Sequence, residues 1–163
     1  GPTRIQPGHI MLSSKELPGI SISDDDMSFL SVPAYRDCAL VYNNRLAEHF
    51  GGIAIHTCGN FVQNYQLVQK HHNLVMMDCA VTGVDPSPNH PAKLAEAFAG
   101  SGIPLKVRMG IEENCWYVLD DLVRPDLKLI LQVASDGNIE KTNAAYSALK
   151  NRCQKILEQK RKG

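Results

Sequence analysis

Two hydrophobic rhythms alternate along this chain. Short apolar runs predict strands at Gly19–Ser23, Ile53–Cys58, Leu74–Ala80, Pro104–Met109 and Leu127–Ala134. Between them, apolar residues recur at helical spacing, predicting helices over about Tyr35–Phe50, Phe61–His71, Ala92–Ala99, Glu112–Val123 and Ile139–Lys160. Pro33 suits the first turn of the first helix and Gly51-Gly52 its end, with Tyr35, Cys38, Ala39, Tyr42, Leu46 and Phe50 as the buried stripe. The last helix carries a stripe of Ile139, Tyr146, Leu149, Cys153 and Ile156/Leu157. Leu74 to Met77 is apolar on both faces, as expected of a parallel strand covered on both sides. Strict alternation of strand and helix predicts an α/β fold with a parallel sheet and right-handed crossovers. Two architectures satisfy it: an open doubly wound sheet, or the last part of a (β/α)8 barrel, which needs about 250 residues in full.

Composition narrows the class. The 163 residues suffice for one domain, with 1–18 as an irregular lead-in and 19–160 as βα units. Lys plus Arg equals Asp plus Glu at 17 each, which gives no support for nucleic acid or an anionic membrane as partner. No apolar run approaches the roughly 20 residues of a membrane span, and the polar N-terminal stretch does not read as a signal peptide. Five cysteines at scattered spacings do not read as a disulfide framework, so the expectation is a reducing, cytoplasmic setting, with Cys38 and Cys153 packed as small hydrophobes. No Gly-rich phosphate loop follows the first strand and no G-x-S-x-G elbow occurs, which disfavours ordinary nucleotide binding and serine-hydrolase chemistry.

The chemistry-bearing string is His56-Thr57-Cys58-Gly59-Asn60, directly after Gly52-Ile53-Ala54-Ile55. Strand alternation sends the His56 imidazole and the Cys58 thiol to one face, at the carboxyl end where parallel sheets bind ligands. Two such donors are half of a zinc site. Asp78 closes four apolar residues on the next strand, where a buried carboxylate needs partners, and it is expected at the pocket. Cys79 beside it is a candidate third ligand, but a regular strand turns only one of Asp78 and Cys79 to the site. Asp24-Asp25-Asp26 ends the first strand: Asp24 and Asp25 can hold a substrate or orient His56, and a carboxylate among the three is the alternative to Cys79 as third ligand. Arg108, at the end of the fourth strand, can pair with an acidic ligand or with Asp78, and Asn60 is a second candidate for substrate binding. His71-His72 is expected at the surface at the opposite end, and Trp116 and Tyr117, following Cys115, are expected to pack on the sheet.

With these residues in view, the chain resembles the uroporphyrinogen decarboxylase superfamily, which includes the corrinoid-dependent methyltransferases. The likeness rests on Ile22-Ser23-Asp24-Asp25, on Ser31-Val32-Pro33 opening a helix, on Gly51 to Asn60, on Asp78, and on the closing Leu129-Ile130-Leu131 strand. It spans about residues 19–155 and corresponds to the C-terminal part of a family barrel. The resemblance implies a (β/α)8 barrel completed either by a homodimer or by a missing N-terminal half. It implies a zinc held by the His-x-Cys pair and a further Cys near the end of the last strand, a position that falls at Ala134-Ser135. It also implies a thiol-like small-molecule methyl acceptor and a methylated corrinoid carried by a separate protein. Two rival readings are uroporphyrinogen-type decarboxylation, which has no use for a thiol beside an imidazole, and a non-catalytic binding module with a decayed site.

Overall fold

The computed structural model describes residues 19–133 and 137–162. Its strands are β1 (Ile20–Ser23), β2 (Ile53–His56), β3 (Leu74–Ala80), β4 (Leu105–Met109) and β5 (Leu129–Val133). All pair in parallel, in the order β1-β2-β3-β4-β5. That consecutive order decides between the two expected architectures. A doubly wound sheet reverses direction at a switch point, whereas a sheet that always adds its next strand on the same side keeps every right-handed crossover helix on one face. The sheet therefore has the winding of a partial barrel.

Alternation then sorts the side chains. Ile20, Ile22, Ile53, Ile55, Met77, Cys79, Leu105, Val107, Met109, Leu129, Leu131 and Val133 share one apolar cluster with helix residues such as Ala47, Val68, Leu94, Phe98, Leu119 and Leu149. The opposite face, the one a barrel would enclose, carries the polar groups. Register aligns Ser23, His56, Asp78, Lys106 and Ile130 in one row across the sheet, with Ala80, Arg108 and Gln132 in the row above. Gly19 pins the start of β1: a Cβ there would lie 2.0 Å from the Gly52 carbonyl oxygen, to which Ile20 donates its N–H.

The helices are α1 (Val32–Ala34), α2 (Val41–Phe50), α3 (Tyr65–Val68), α4 (Pro91–Phe98), α5 (Leu119–Leu122) and α6 (Ile139–Lys162). α1 and α2 are joined without a break by a π-helical segment, Tyr35–Leu40. Tyr35 is buried and Ala39 packs on the core as expected, but this segment overturns the rest of the stripe. The buried positions run Tyr35, Leu40, Asn43 and Ala47, whereas Cys38 is exposed and Tyr42, Leu46 and Phe50 face outward. One residue of extra winding rotates everything after it by about 100°, which carries the predicted stripe off the sheet.

The helix expected over 61–71 shrinks to a 3-10 turn, Val62–Asn64, and α3. There Gln63 and Asn64 donate their side-chain amides to the carbonyls of Met27, Ser28 and Leu30, and those tertiary bonds outweigh helical propensity. The segment expected as a helix from Glu112 begins as a 3-10 turn, Glu113–Val118; Trp116 packs on the core but Tyr117 is exposed. In α6, Leu149 and Ile156 are buried with Cys153 packed against the core, while Ile139 and Tyr146 project outward.

Cys38 and Cys79 make a direct comparison. Cys38→Ser is expected to change unfolding free energy by no more than about 0.5 kcal/mol, since the side chain is exposed. Cys79→Ser places a hydroxyl in a fully apolar cluster and is expected to cost about 1–3 kcal/mol in urea denaturation. Equal effects at the two positions would contradict the π-helical register.

Candidate metal centre

β2 ends at His56, and Gly59, at φ +89°, makes the turn that stops the chain from continuing past Cys58. The His56 and Cys58 side chains meet, with Nε2 and Sγ 3.2 Å apart. Behind the imidazole, Nδ1 lies 3.0 Å from Asp78 Oδ2, and both side chains are fully buried. A carboxylate only accepts, so His56 Nδ1 donates to Asp78, which leaves Nε2 as the ring nitrogen facing Cys58.

The third donor comes from β1. Asp25 opens a 3-10 turn, Asp25–Ser28, and its Oδ1 accepts the Cys58 N–H at 2.6 Å, while Ser28 Oγ donates to the Cys58 carbonyl at 2.8 Å. One turn thus holds Cys58 by both backbone groups. Asp25, His56 and Cys58 bring a carboxylate oxygen, an imidazole nitrogen and a sulfur within 4.8 Å of one another. That is a three-donor set, backed by the carboxylate–histidine contact that commonly orients a metal-bound imidazole.

Charges behind the donors come from β3, β4 and the loop after β3. Asp78 lies 3.4 Å from Lys106 Nζ and 3.3 Å from Arg108 Nε. Arg108 sends its terminal nitrogens to Asp85 at 3.0 and 2.9 Å and to the Thr57 carbonyl at 3.2 Å. Burial, then the Asp85 and Asp25 carboxylates, push the Cys58 thiol above its ordinary value, while Arg108 pulls it down.

The other expected residues fall elsewhere. Cys79 is wholly buried in the helix-side cluster, with burial and then Asp78 pushing its thiol far up, so it is no ligand: β3 turns it away from Asp78. Asp24 points into the layer between sheet and helix, where Tyr35 Oη and the Asn43 amide donate to it at 2.8 and 2.7 Å. It cannot touch a substrate at the donor cluster. Asn60 caps its own loop, accepting from the Val62 N–H and donating to the Pro88 carbonyl. His71 is buried rather than superficial: its Nδ1 lies 2.7 Å from the Val68 carbonyl and its Nε2 3.3 Å from Tyr35 Oη, while His72 is exposed against Glu48. Ala134-Ser135, the position expected for a further ligand, lies outside the described residues.

Sequence reasoning missed Lys106, Asp85 and Asn89. The alternation Leu105-Lys106-Val107-Arg108-Met109 already places both cations on one face, so Lys106 was open to discovery. Asp85 and Asn89 lie in the loop before α4, where no periodicity reports direction. Asn89 is buried and binds Phe61 N–H, Tyr65 Oη and the carbonyls of Gly59 and Ala80, tying the ends of β2 and β3 together.

Comparison with protein-family models, curated proteins and solved structures gives no match for this chain. Among the described residues, no helix is long and apolar enough to cross a membrane.

The thiol's environment yields a pH prediction. In chelator-treated protein, alkylation of Cys58 by iodoacetamide, followed by peptide mass mapping, is expected to rise only above the pH where an ordinary thiol reacts, because the thiol is shifted up. Asp85→Asn removes an anion and releases Arg108, so the profile is expected to move to lower pH. A shift to higher pH would refute this electrostatic account.

Proposed function

We propose that this chain forms part of a corrinoid-dependent methyltransferase in which a zinc ion activates a small thiol-like acceptor. The observation that carries the reading is the convergence of Asp25, His56 and Cys58 at the carboxyl end of β1 and β2, with Asp78 behind His56. Support from sequence comes from the resemblance of Gly51 to Asn60 to the uroporphyrinogen decarboxylase superfamily, and its type of barrel belongs to the same proposal. Zinc bound there supplies a Lewis acid that keeps a coordinated thiol ionised at neutral pH. Asp78 keeps the His56 proton at Nδ1 and so reserves Nε2 for coordination. Cys58, whose thiol burial holds above its ordinary value, would have to lose its proton to bind the ion. Arg108 and Asp85 brace the strand ends so that the donors do not reorganise.

On this reading Asp25, His56 and Cys58 would hold the metal that binds the acceptor sulfur, and a methylated corrinoid carried by a separate protein would supply the methyl group, keeping the electron pair of the bond it gives up. A thiol beside an imidazole has no part in porphyrinogen decarboxylation, so the pair favours methyl transfer over that rival. A homodimer or a further barrel segment would supply the rest of the pocket wall.

Metal content tests the centre, and turnover tests the reaction. Protein purified without chelator is expected to hold about one zinc per chain by mass spectrometry, falling below about 0.2 in Cys58→Ser. With methylcobalamin and a small thiol, the full assembly is expected to form the methyl thioether, and the same variant to lose that activity. Zinc-free wild-type protein would overturn the metal centre. A zinc-loaded assembly that binds a corrinoid protein without transferring methyl would favour the binding-module reading instead.

A further inference from the structure

The layer between β1 and the π-helical segment holds a group of polar side chains that the proposed chemistry does not use. Asp24 is buried, and its Oδ2 accepts from both Tyr35 Oη at 2.8 Å and Asn43 Nδ2 at 2.7 Å. Its backbone N–H donates to the His56 carbonyl at 2.8 Å. Asp24 is thus fixed at both ends: the main chain to the strand that carries the imidazole, the carboxylate to the helix. The next residue is Asp25, whose carboxylate meets Cys58 and completes the donor set.

The π-helical segment makes this possible. Tyr35 and Asn43 are eight residues apart, so in a regular α-helix they would point about 80° from one another. One residue of extra winding removes about 100° and leaves them within about 20°, on the same face. The segment discards the expected apolar stripe, exposing Cys38, Tyr42 and Phe50. What it gains is two donors aimed at one carboxylate. Burial and Asp24 both push the Tyr35 hydroxyl far above its ordinary value, so it remains a donor at any working pH. His71 offers Tyr35 Oη a ring nitrogen at 3.3 Å, but its own Nδ1 proton is committed to Val68, and the tyrosine's single proton goes to the nearer Asp24.

We propose that Asp24, Tyr35 and Asn43 are positioning residues that aim the Asp25 carboxylate at the metal. This rests on the metal-centre reading above. The side-chain lock on Asp24 acts through its peptide link to Asp25, and a cycle with Asp25→Ala separates that route from the Asp24 N–H bond to the His56 carbonyl and from mere stabilisation of the fold.

A double-mutant cycle on zinc affinity tests the route. Affinity is measured by competition with a chromophoric chelator on the full chain, in the wild type, Tyr35→Phe, Asp25→Ala and the double variant. Phenylalanine fills the same buried volume, so folding is expected to survive; Asn43→Ala serves as the second probe of the same lock. Tyr35→Phe is expected to weaken zinc binding about tenfold, the usual order for a group that orients a ligand. In the Asp25→Ala background the same change is expected to alter affinity less than about twofold, because the route has been removed. Cobalt-substituted Tyr35→Phe is expected to retain its thiolate-to-metal charge-transfer band while its d–d bands move toward those of Asp25→Ala. An equal loss in both backgrounds, or no loss in either, would overturn the lock while leaving the metal centre standing. Wild-type protein that binds no zinc, or an Asp25→Ala variant that binds as tightly as wild type, would instead remove the reading on which the lock rests.

Discussion

Everything at the carboxyl end of the sheet is arranged around one buried anion. Asp78 has no solvent exposure, and a lone carboxylate in that position would cost several kcal/mol. Its compensation comes from both neighbouring strands, His56 from β2 and Lys106 and Arg108 from β4. A single row of the ladder carries His56, Asp78 and Lys106 side by side, so register alone delivers two of the partners. Slipping β2 or β4 by one residue would turn its polar set into the helix-side core and leave Asp78 unpaired. The charge therefore specifies the pairing of β2, β3 and β4 as strictly as the apolar face does. It also fixes the His56 tautomer, on which any use of Nε2 depends.

The charges near the donors do not balance. Asp25, Asp78 and Asp85 face Lys106 and Arg108, and Asp25 is the carboxylate that has no cationic partner among the described residues. Asp25 accepts instead from an N–H and a hydroxyl, which is a weak return for an anion beside two others. A divalent cation between Asp25, His56 and Cys58 would repair that imbalance. A bare Cys–His–Asp relay would leave it uncorrected. On the proposed reading this electrostatic imbalance favours a metal centre over a thiol nucleophile, although the His56 contacts would suit either.

Legibility in the sequence followed direction-finding. β3 and its neighbours were readable because apolar alternation encodes both an element and its faces, and the same rule placed His56 with Cys58 and set Asp78 against Cys79. Asp25 was less legible, since a turn has no periodicity to say which of Asp24, Asp25 and Asp26 looks toward Cys58. The π-helical segment was invisible for a related reason. Its winding is imposed by what Tyr35 and Asn43 bond to on β1, and a 3.6-residue template read from Cys38, Tyr42 and Leu46 has no access to that partner. His71 was misplaced in the same way: its burial is paid for by Val68 and Tyr35, neither of which its neighbours in sequence announce.

Consecutive strand order is what lets these parts meet. Because β1 lies directly beside β2, the turn after Ser23 reaches across one strand spacing to clasp Cys58, and on the proposed reading the Asp25 carboxylate serves as third donor in exchange for the second thiolate that the resemblance implies at Ala134-Ser135. On the proposed reading that exchange has chemical weight. A carboxylate donates less charge to a metal than a thiolate does, so a site with one oxygen, one nitrogen and one sulfur leaves the ion a stronger Lewis acid. It would ionise an incoming thiol more completely and hold it more tightly, at some expense to the nucleophilicity of the bound sulfur. Asp25 is also the donor with the greatest exposure, tethered by Asp24 on one side and the Cys58 amide on the other. On the proposed reading, the donor that lies outside the His-x-Cys pair is therefore the one whose aim depends most on the surrounding fold.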